Sequence, residues 1–267
     1  MSMINWFPGH MAKSLNDITK VKNLDLLIEV LDTRAITASS NEALINKFNK
    51  PVLKIALKKD LSDVIENNNV LIGSINDKNF KNKIFKKIDE FLKGKKEKLI
   101  KKGLLHPQFY IMVVGLPNIG KSSLINFLSN KNKVEVANKP GVTRTKQVIK
   151  LNEQYFIYDT PGILFKNIES DEIGYKLSLI GAIKKEILPI NDISKWAYEY
   201  LMVNYKNEFC KKMIINNNTT YNDFLNILCE QYKFKLANNI NDTQRAINYF
   251  YDSLINGKII KVNYEKK

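Results

Sequence analysis

The chain has 267 residues, 44% of them hydrophobic, with 42 Lys and Arg against 27 Asp and Glu, a formal net charge of +15 and a pI near 9.5. That length buries one α/β core and leaves material for a smaller second unit. The longest apolar stretch is a strand-length run around residues 110–116, and the N-terminus shows no basic segment followed by an apolar one. These features exclude a helical membrane span and a secretory leader, so a soluble cytoplasmic protein with no membrane partner is expected. The two cysteines, Cys210 and Cys229, are too few for a disulfide framework or a Cys-based metal site and are expected as buried small hydrophobes. The basic excess points to a polyanionic partner, RNA being the first candidate and DNA not expected. Abundant Lys, Asn and Ile can reflect genome composition, but such a bias does not require the deficit of acids.

In chain order, Asp25 to Leu31 and Val52 to Leu57 are apolar, β-branched runs of strand length, each followed by polar residues and a helical pattern. Val70 to Gly73 predicts a further strand. From Lys78 to Lys102 eleven Lys face three acids, so 11 − 3 = 8 of the net charges sit here. Within it Phe80, Ile84, Ile88, Phe91 and Leu92 recur at helical spacing. The first part is expected to be an amphipathic helix with its Lys outside, either facing RNA or solvated ahead of a linker. Tyr110 to Val114 and Gln154 to Tyr158 predict two more strands. Alternation of this kind argues for a mostly parallel sheet covered on both faces.

After Gly162 the pattern becomes helical only. Asp192 is expected to cap a helix carrying Ile193, Trp196, Ala197, Tyr200 and Leu201, and Thr243 another carrying Ala246, Ile247, Phe250 and Leu254, ended by Gly257. The loops are expected at Asn216 to Tyr221 and Ala237 to Asp242. The division is therefore an α/β domain over 1–173 and an all-helical domain over 174–267.

Gly115-Leu-Pro-Asn-Ile-Gly-Lys-Ser122 is a P-loop in its proper setting, with an apolar strand leading in and Ser122 to Leu128 reading as a helix leading out. Its glycines let backbone N–H groups close on phosphates, and the helix N-terminus adds positive partial charge. Asn118, Ile119, Gly120, Lys121, Ser122 and Ser123 are the expected nucleotide contacts, with Lys121 reaching the β- and γ-phosphates and Ser122 holding Mg²⁺. Asp159-Thr-Pro-Gly162 closes the strand one unit later, placing Asp159 at the metal shell and the Gly162 N–H at the γ-phosphate. Thr143 of Pro140-Gly-Val-Thr143 offers Mg²⁺ a hydroxyl between them. Segments held by the γ-phosphate and metal relax on hydrolysis, which makes these two the switches.

Nothing after Gly162 resembles the element that reads a guanine base; the candidate, Leu57-Lys-Lys-Asp60, precedes the P-loop. That order is the order of a circularly permuted Ras-like GTPase. In the Asn-Lys-x-Asp pattern the carboxylate accepts from guanine N1 and N2, the lysine stem packs on the ring, and the asparagine bonds to N7 and the P-loop. Here Lys58 and Asp60 are in place and Leu57 stands at the asparagine position, so the site keeps guanine over adenine while losing a hydrogen bond of about 0.5–1.5 kcal/mol. In Gly73-Ser74-Ile75, Ser74 and Ile75 are the candidates for a backbone contact to guanine O6.

The chain resembles the circularly permuted ribosome-assembly GTPases of the YlqF/RbgA family over essentially its whole length. The shared marks are Trp6-Phe-Pro-Gly-His-Met11, Leu31-Asp-Thr-Arg34 with Ser39-Ser-Asn41, Lys58-Lys-Asp60, Gly115 to Ser123, Pro140 to Thr143, Asp159 to Leu164 and Gly181-Ala-Ile-Lys184. The resemblance implies a GTP hydrolase of late large-subunit assembly, stimulated by the subunit, with rRNA bound by the helical domain; the sequence shows no self-association pattern, so a monomer is expected. It also implies His10 as the catalytic group, since Ile163 occupies the position where many Ras-like enzymes keep a water-orienting glutamine. Asn118 sits where GTPases with an asparagine often hold K⁺ near the phosphates. The chain departs from the family at Leu57 and at Ile36-Thr37, where an Ile-Pro turn is usual. Two rivals remain: a P-loop kinase or ATPase, which needs neither Asp60 nor Ser74, and a GTP-sensing RNA-binding factor that no longer hydrolyses.

Overall fold

The computed structural model of the chain describes residues 21, 23–66, 69–129, 148–158, 168, 170–183, 185 and 189–266. The sheet is built from β1 (Leu26–Asp32), β2 (Val52–Leu57), β3 (Leu71–Ile72), β4 (Phe109–Gly115), β5 (Val148–Lys150) and β6 (Tyr155–Tyr158). Its spatial order is β3-β2-β1-β4-β6-β5, parallel except for the antiparallel edge pair β5 and β6. Read from the β5 edge, the strands that come late in the chain precede those that come early. The strand feeding the P-loop, β4, lies near the middle. This is the strand arrangement of the expected permuted fold.

Every residue of β1 is buried, as a central parallel strand covered on both faces must be. Two short helices, α1 (Ile36–Ser39) and α2 (Glu42–Ile45), follow it. Leu44, Ile45 and Phe48 pack with Leu27, Met112, Val114, Phe156 and Tyr158 on one face of the sheet. The other face is covered by α3 (Lys78–Lys101), whose Phe80, Ile84, Ile88 and Leu92 are buried at four-residue spacing. Phe91, expected on that face, is 42% exposed because it falls beside this ladder. The helix also runs unbroken through Gly94, where the sequence suggested only a first helical part. Asp77 caps it, its side chain accepting from the Asn79 N–H at 2.9 Å.

Strand β5 was not expected; three residues carry too little pattern to be read. Strand β3 is two residues rather than the four expected from Val70 to Gly73. Gly73 lies against the Phe80 ring so closely that a Cβ there would stand 2.2 Å from it.

The C-terminal helices are α4 (Lys121–Leu128) in the sheet region, then α5 (Asp171–Leu179), α6 (Ile190–Asn204), α7 (Lys206–Met213), α8 (Tyr221–Tyr232) and α9 (Thr243–Ile255). Helix α5 crosses residues 173 and 174, and the apolar core beneath α3 continues without a break into α6, α8 and α9. Phe224 and Phe250 meet edge to face at 4.9 Å at the centre of the helical part. Two caps differ from the expected ones. Asp192 lies in the first turn of α6, whose N-cap is Pro189, and Asp242 rather than Thr243 caps α9, accepting from the Arg245 N–H. Gly257 follows the end of α9 at φ 64°. Both cysteines are buried and free. Among the described residues no helix is long and apolar enough to cross a membrane.

Candidate nucleotide site

Parallel strands deliver their C-terminal loops to one side of a sheet, and ligands of open α/β sheets bind there. The register makes this concrete. Val30 of β1 pairs with Gly115 and Asp32 with Leu57, so the P-loop and the Lys58-Lys59-Asp60 loop leave the sheet on either side of the end of β1. Gly73 and Ser74, at the end of β3, join them: the Lys59 N–H donates to the Gly73 carbonyl at 3.3 Å.

The P-loop needs its glycines for measurable reasons. A Cβ on Gly115 would sit 2.6 Å from the Val30 carbonyl oxygen, and Gly120 takes φ 111° at the N-cap of α4. Asn118 is also left-handed, at φ 55°. The loop curls over Lys121, a buried side chain whose ammonium donates to the Leu116 carbonyl at 2.5 Å. Ser122 and Ser123 are exposed at the helix start, while Ile119 is fully buried and offers the site only its backbone. A loop of this shape at the N-terminus of α4 fits a phosphate chain.

On the base side, Lys58 stands in the left-handed region, φ 62° and ψ 38°, ahead of a 3-10 turn over Lys59–Leu61 that carries the exposed Asp60. Ile75 is 37% exposed, and the Ser74 hydroxyl accepts from the Asn76 N–H. Leu57 is buried, and its Cδ1 lies 3.0 Å from where a Cβ on Gly120 would be, so the two loops touch through an apolar contact.

The structure thus brings together Lys58, Asp60, Ser74, Ile75 and Asn118 through Ser123. His10, Thr143, Asp159 and Gly162 lie outside the described residues.

A cluster at the end of β1 had no expected role. The Asp32 carboxylate accepts from Arg34 Nε and Nη2, both at 2.9 Å, and pairs with Lys58 Nζ at 2.9 Å. The Arg34 guanidinium also donates to the Ile255, Ile180 and Leu179 carbonyls at 2.9, 3.2 and 3.4 Å, which places its charge at the C-terminal ends of both α9 and α5. Burial works against the Asp32 charge, yet the Arg34 hydrogen bonds and charge, with Lys58, hold its carboxyl below the ordinary range. Helix α5 is tied a second time, since the Asn118 side-chain amide donates to the Gly181 carbonyl at 3.3 Å. A signal for this cluster was present in the sequence. Arg occurs only at 34, 144 and 245 in a Lys-rich chain, and a retained Arg marks a place where a planar fork is needed.

A protein-family model described as a 50S ribosome-binding GTPase matches residues 110–219, beginning at β4 and so leaving the Lys58 loop outside it. A "Probable ribosome biogenesis GTPase A" from Mycoplasma pneumoniae is 38% identical over 265 residues, covering 98% of this chain and 96% of the relative. A "Ribosome biogenesis GTPase A" from Bacillus pumilus is 34% identical over 223 residues, 78% of this chain and 79% of its own. The solved structure of GNP-bound YlqF from T. maritima shares the fold, with a TM-score of 0.64, 22% identity and coverage of 96% of this chain and 97% of that one. With a relative this similar along nearly its whole length, the chain belongs to the ribosome biogenesis GTPase A (YlqF/RbgA) family.

Proposed function

We propose that this GTPase binds GTP with Mg²⁺ at the loops ending β2, β3 and β4, docks on the maturing large ribosomal subunit, hydrolyses GTP there and is then released. The observation that carries the reading is the shared exit of the P-loop and the guanine-reading loop from one end of the sheet, with Leu57 against Gly120. In this reading the N-terminal turn of α4 holds the phosphates, Lys121 neutralises them and Ser122 holds the metal, which supplies charge stabilisation to phosphoryl transfer. Asp60 reads the base over the Lys58 stem. Thr143, Asp159 and Gly162 complete the phosphate end, and His10 orients water. Asn118 would hold K⁺.

The 174–267 unit is the proposed rRNA-binding domain, and the Lys-rich outer face of α3 is a second contact. Lys78, Lys83, Lys86, Lys93, Lys98 and Lys101 are all exposed along that helix. Their charge matches a phosphate backbone.

The test is GTP hydrolysis with and without large subunits, in K⁺ and in Na⁺, with ATP as control. Subunit-dependent, GTP-specific turnover that falls in His10→Ala is the expected result. Tight GTP binding with no turnover under any of these conditions would replace this reading with the non-hydrolysing GTP sensor, and equal use of ATP would replace it with a P-loop ATPase.

A further inference from the structure

With leucine at position 57, the guanine-reading loop lacks the directional tether that an asparagine amide gives. The Leu57 contact with Gly120 is apolar and fixes no orientation. The loop is nonetheless held in a conformation that a side chain adopts at a cost, Lys58 at φ 62°. Besides the Lys59 N–H bond to the Gly73 carbonyl and the Val262 N–H bond to the Leu61 carbonyl, its directional restraints come from the end of β1. The Leu57 carbonyl accepts from both the Thr33 N–H at 3.0 Å and the Thr33 hydroxyl at 2.5 Å. Lys58 Nζ is paired with Asp32 Oδ2 at 2.9 Å, and Asp32 is itself immobilised by the two-point bond from Arg34 and by its own N–H donating to Ser39 Oγ at 3.2 Å. Beyond the turn, the Ser62 hydroxyl donates to the Thr33 carbonyl at 3.2 Å, closing the loop onto the same residue.

We infer that Asp32 and Thr33 are positioning residues for guanine binding, which tether Leu57 and Lys58 to the end of β1 and take over the anchoring that the asparagine provides in the Asn-Lys-x-Asp pattern. Asp32 acts by holding the Lys58 ammonium, so that the methylene stem lies in the plane where the base stacks. Thr33 acts by fixing the Leu57 peptide, from which the left-handed turn at Lys58 starts. Cutting either restraint lets the backbone relax out of that turn and lets the stem swing away from the ring. The inference rests on the reading that Lys58 and Asp60 meet guanine.

Thr33→Val removes the hydroxyl at constant shape, and Lys58→Met keeps the stem while losing the ammonium. Both spare the Asp32–Arg34 pair, whereas Asp32→Asn would remove the charge of the carboxylate that bonds the buried Arg34 guanidinium at two points. The readouts are dissociation constants for fluorescent GDP and GTP analogues, after nucleotide-free unfolding curves establish that each variant folds, with Thr33→Ser as the hydroxyl-retaining control. Each variant is expected to weaken both nucleotides about tenfold, and Thr33→Ser is not. Leu57→Asn should recover most of the loss in the Thr33→Val background while doing little in the native one, an outcome that a purely structural role for Thr33 does not produce. Unchanged affinity in both variants, or the same gain from Leu57→Asn in both backgrounds, overturns the inference. Asp60→Asn separates the two levels. If it fails to shift preference from GTP to XTP, the base-reading assignment is wrong; if it shifts preference while Thr33→Val and Lys58→Met bind normally, only the tether is.

Discussion

Glu29 and Asp32 lie three residues apart on β1 and therefore point to opposite faces of the sheet, and both are buried. Their carboxyl groups shift in opposite directions. Burial pushes Glu29 above its ordinary value, only partly offset by the Asn41 N–H donating at 2.7 Å, by Lys54 and by the Ser40 hydroxyl. For a raised group, the contribution to stability is full below the ordinary value of 4.5 and is lost as pH rises through the folded value. Glu29→Gln keeps the acceptor and removes the charge, so it should raise the unfolding midpoint at pH 7, with the gain shrinking as pH approaches 4.5. Equal gains at pH 5 and pH 8 would show that the charge is not the cause. Asp32 behaves in the opposite way. Its lowered value means that its stabilisation is present above 3.8 and disappears as pH falls through the folded value. Arg34 completes the contrast: Arg34→Met leaves the buried Asp32 carboxylate with the Lys58 ammonium and the residue-34 N–H but without the guanidinium, and should cost about 3–5 kcal/mol in urea unfolding. Arg34→Lys should recover little, because one ammonium cannot span Asp32 and the ends of two helices. If the lysine variant unfolds like the native chain, the fork geometry is irrelevant. The role of Arg34 could not be read locally, since its carbonyl partners lie 145 to 221 residues away.

At the scale of elements, what was legible had period or fixed spacing. The β1, β2 and β4 runs and the P-loop setting were read nearly to the residue. Strand β5 has three residues and no alternation to find, and the caps of α6 and α9 were misplaced by a few positions because Asp, Thr and the residues beside them compete for the same role. Helix α3 shows how a neighbour decides a position. Gly73→Ala drives a methyl into the Phe80 ring, 2.2 Å from its nearest atom, and should cost about 1–3 kcal/mol as the start of α3 shifts; a midpoint equal to the native one would mean that the ring simply turns aside. The opposite face of α3 makes no such demand on packing. Lys86→Glu combined with Lys93→Glu should leave thermal stability nearly unchanged while weakening large-subunit binding and flattening its dependence on salt. An unaltered salt dependence would assign α3 to solvent.

For the whole molecule, the chain after α9 closes the structure. The Tyr264 N–H donates to the Arg34 carbonyl at 2.7 Å, the Val262 N–H to the Leu61 carbonyl at 3.1 Å, and the Glu265 carboxylate accepts from the Thr37 and Ala38 N–H groups at 2.9 and 2.6 Å. Thr37 occupies the place of a proline in the family pattern, and a proline has no N–H to give. Ending the chain after Lys261 removes all three ties together with the buried Tyr264 ring. It should lower the unfolding midpoint by several degrees and weaken GDP binding through the loosened Leu61 turn. A truncated protein with native affinity would uncouple the tail from the site.

The reach of Arg34 also sets a schedule for synthesis. The guanidinium leaves the ribosome early, while the Ile255 carbonyl that it holds is made 221 residues later, an interval of roughly 10–45 s at bacterial and eukaryotic elongation rates. The end of α5 follows after 145 residues, so for the last part of that time the cluster at the end of β1 has one of its two helix ends and lacks that of α9. The joint between sheet and helices therefore closes only when translation is nearly finished, so a nascent chain stalled before α9 should hold its sheet without locking the nucleotide loops.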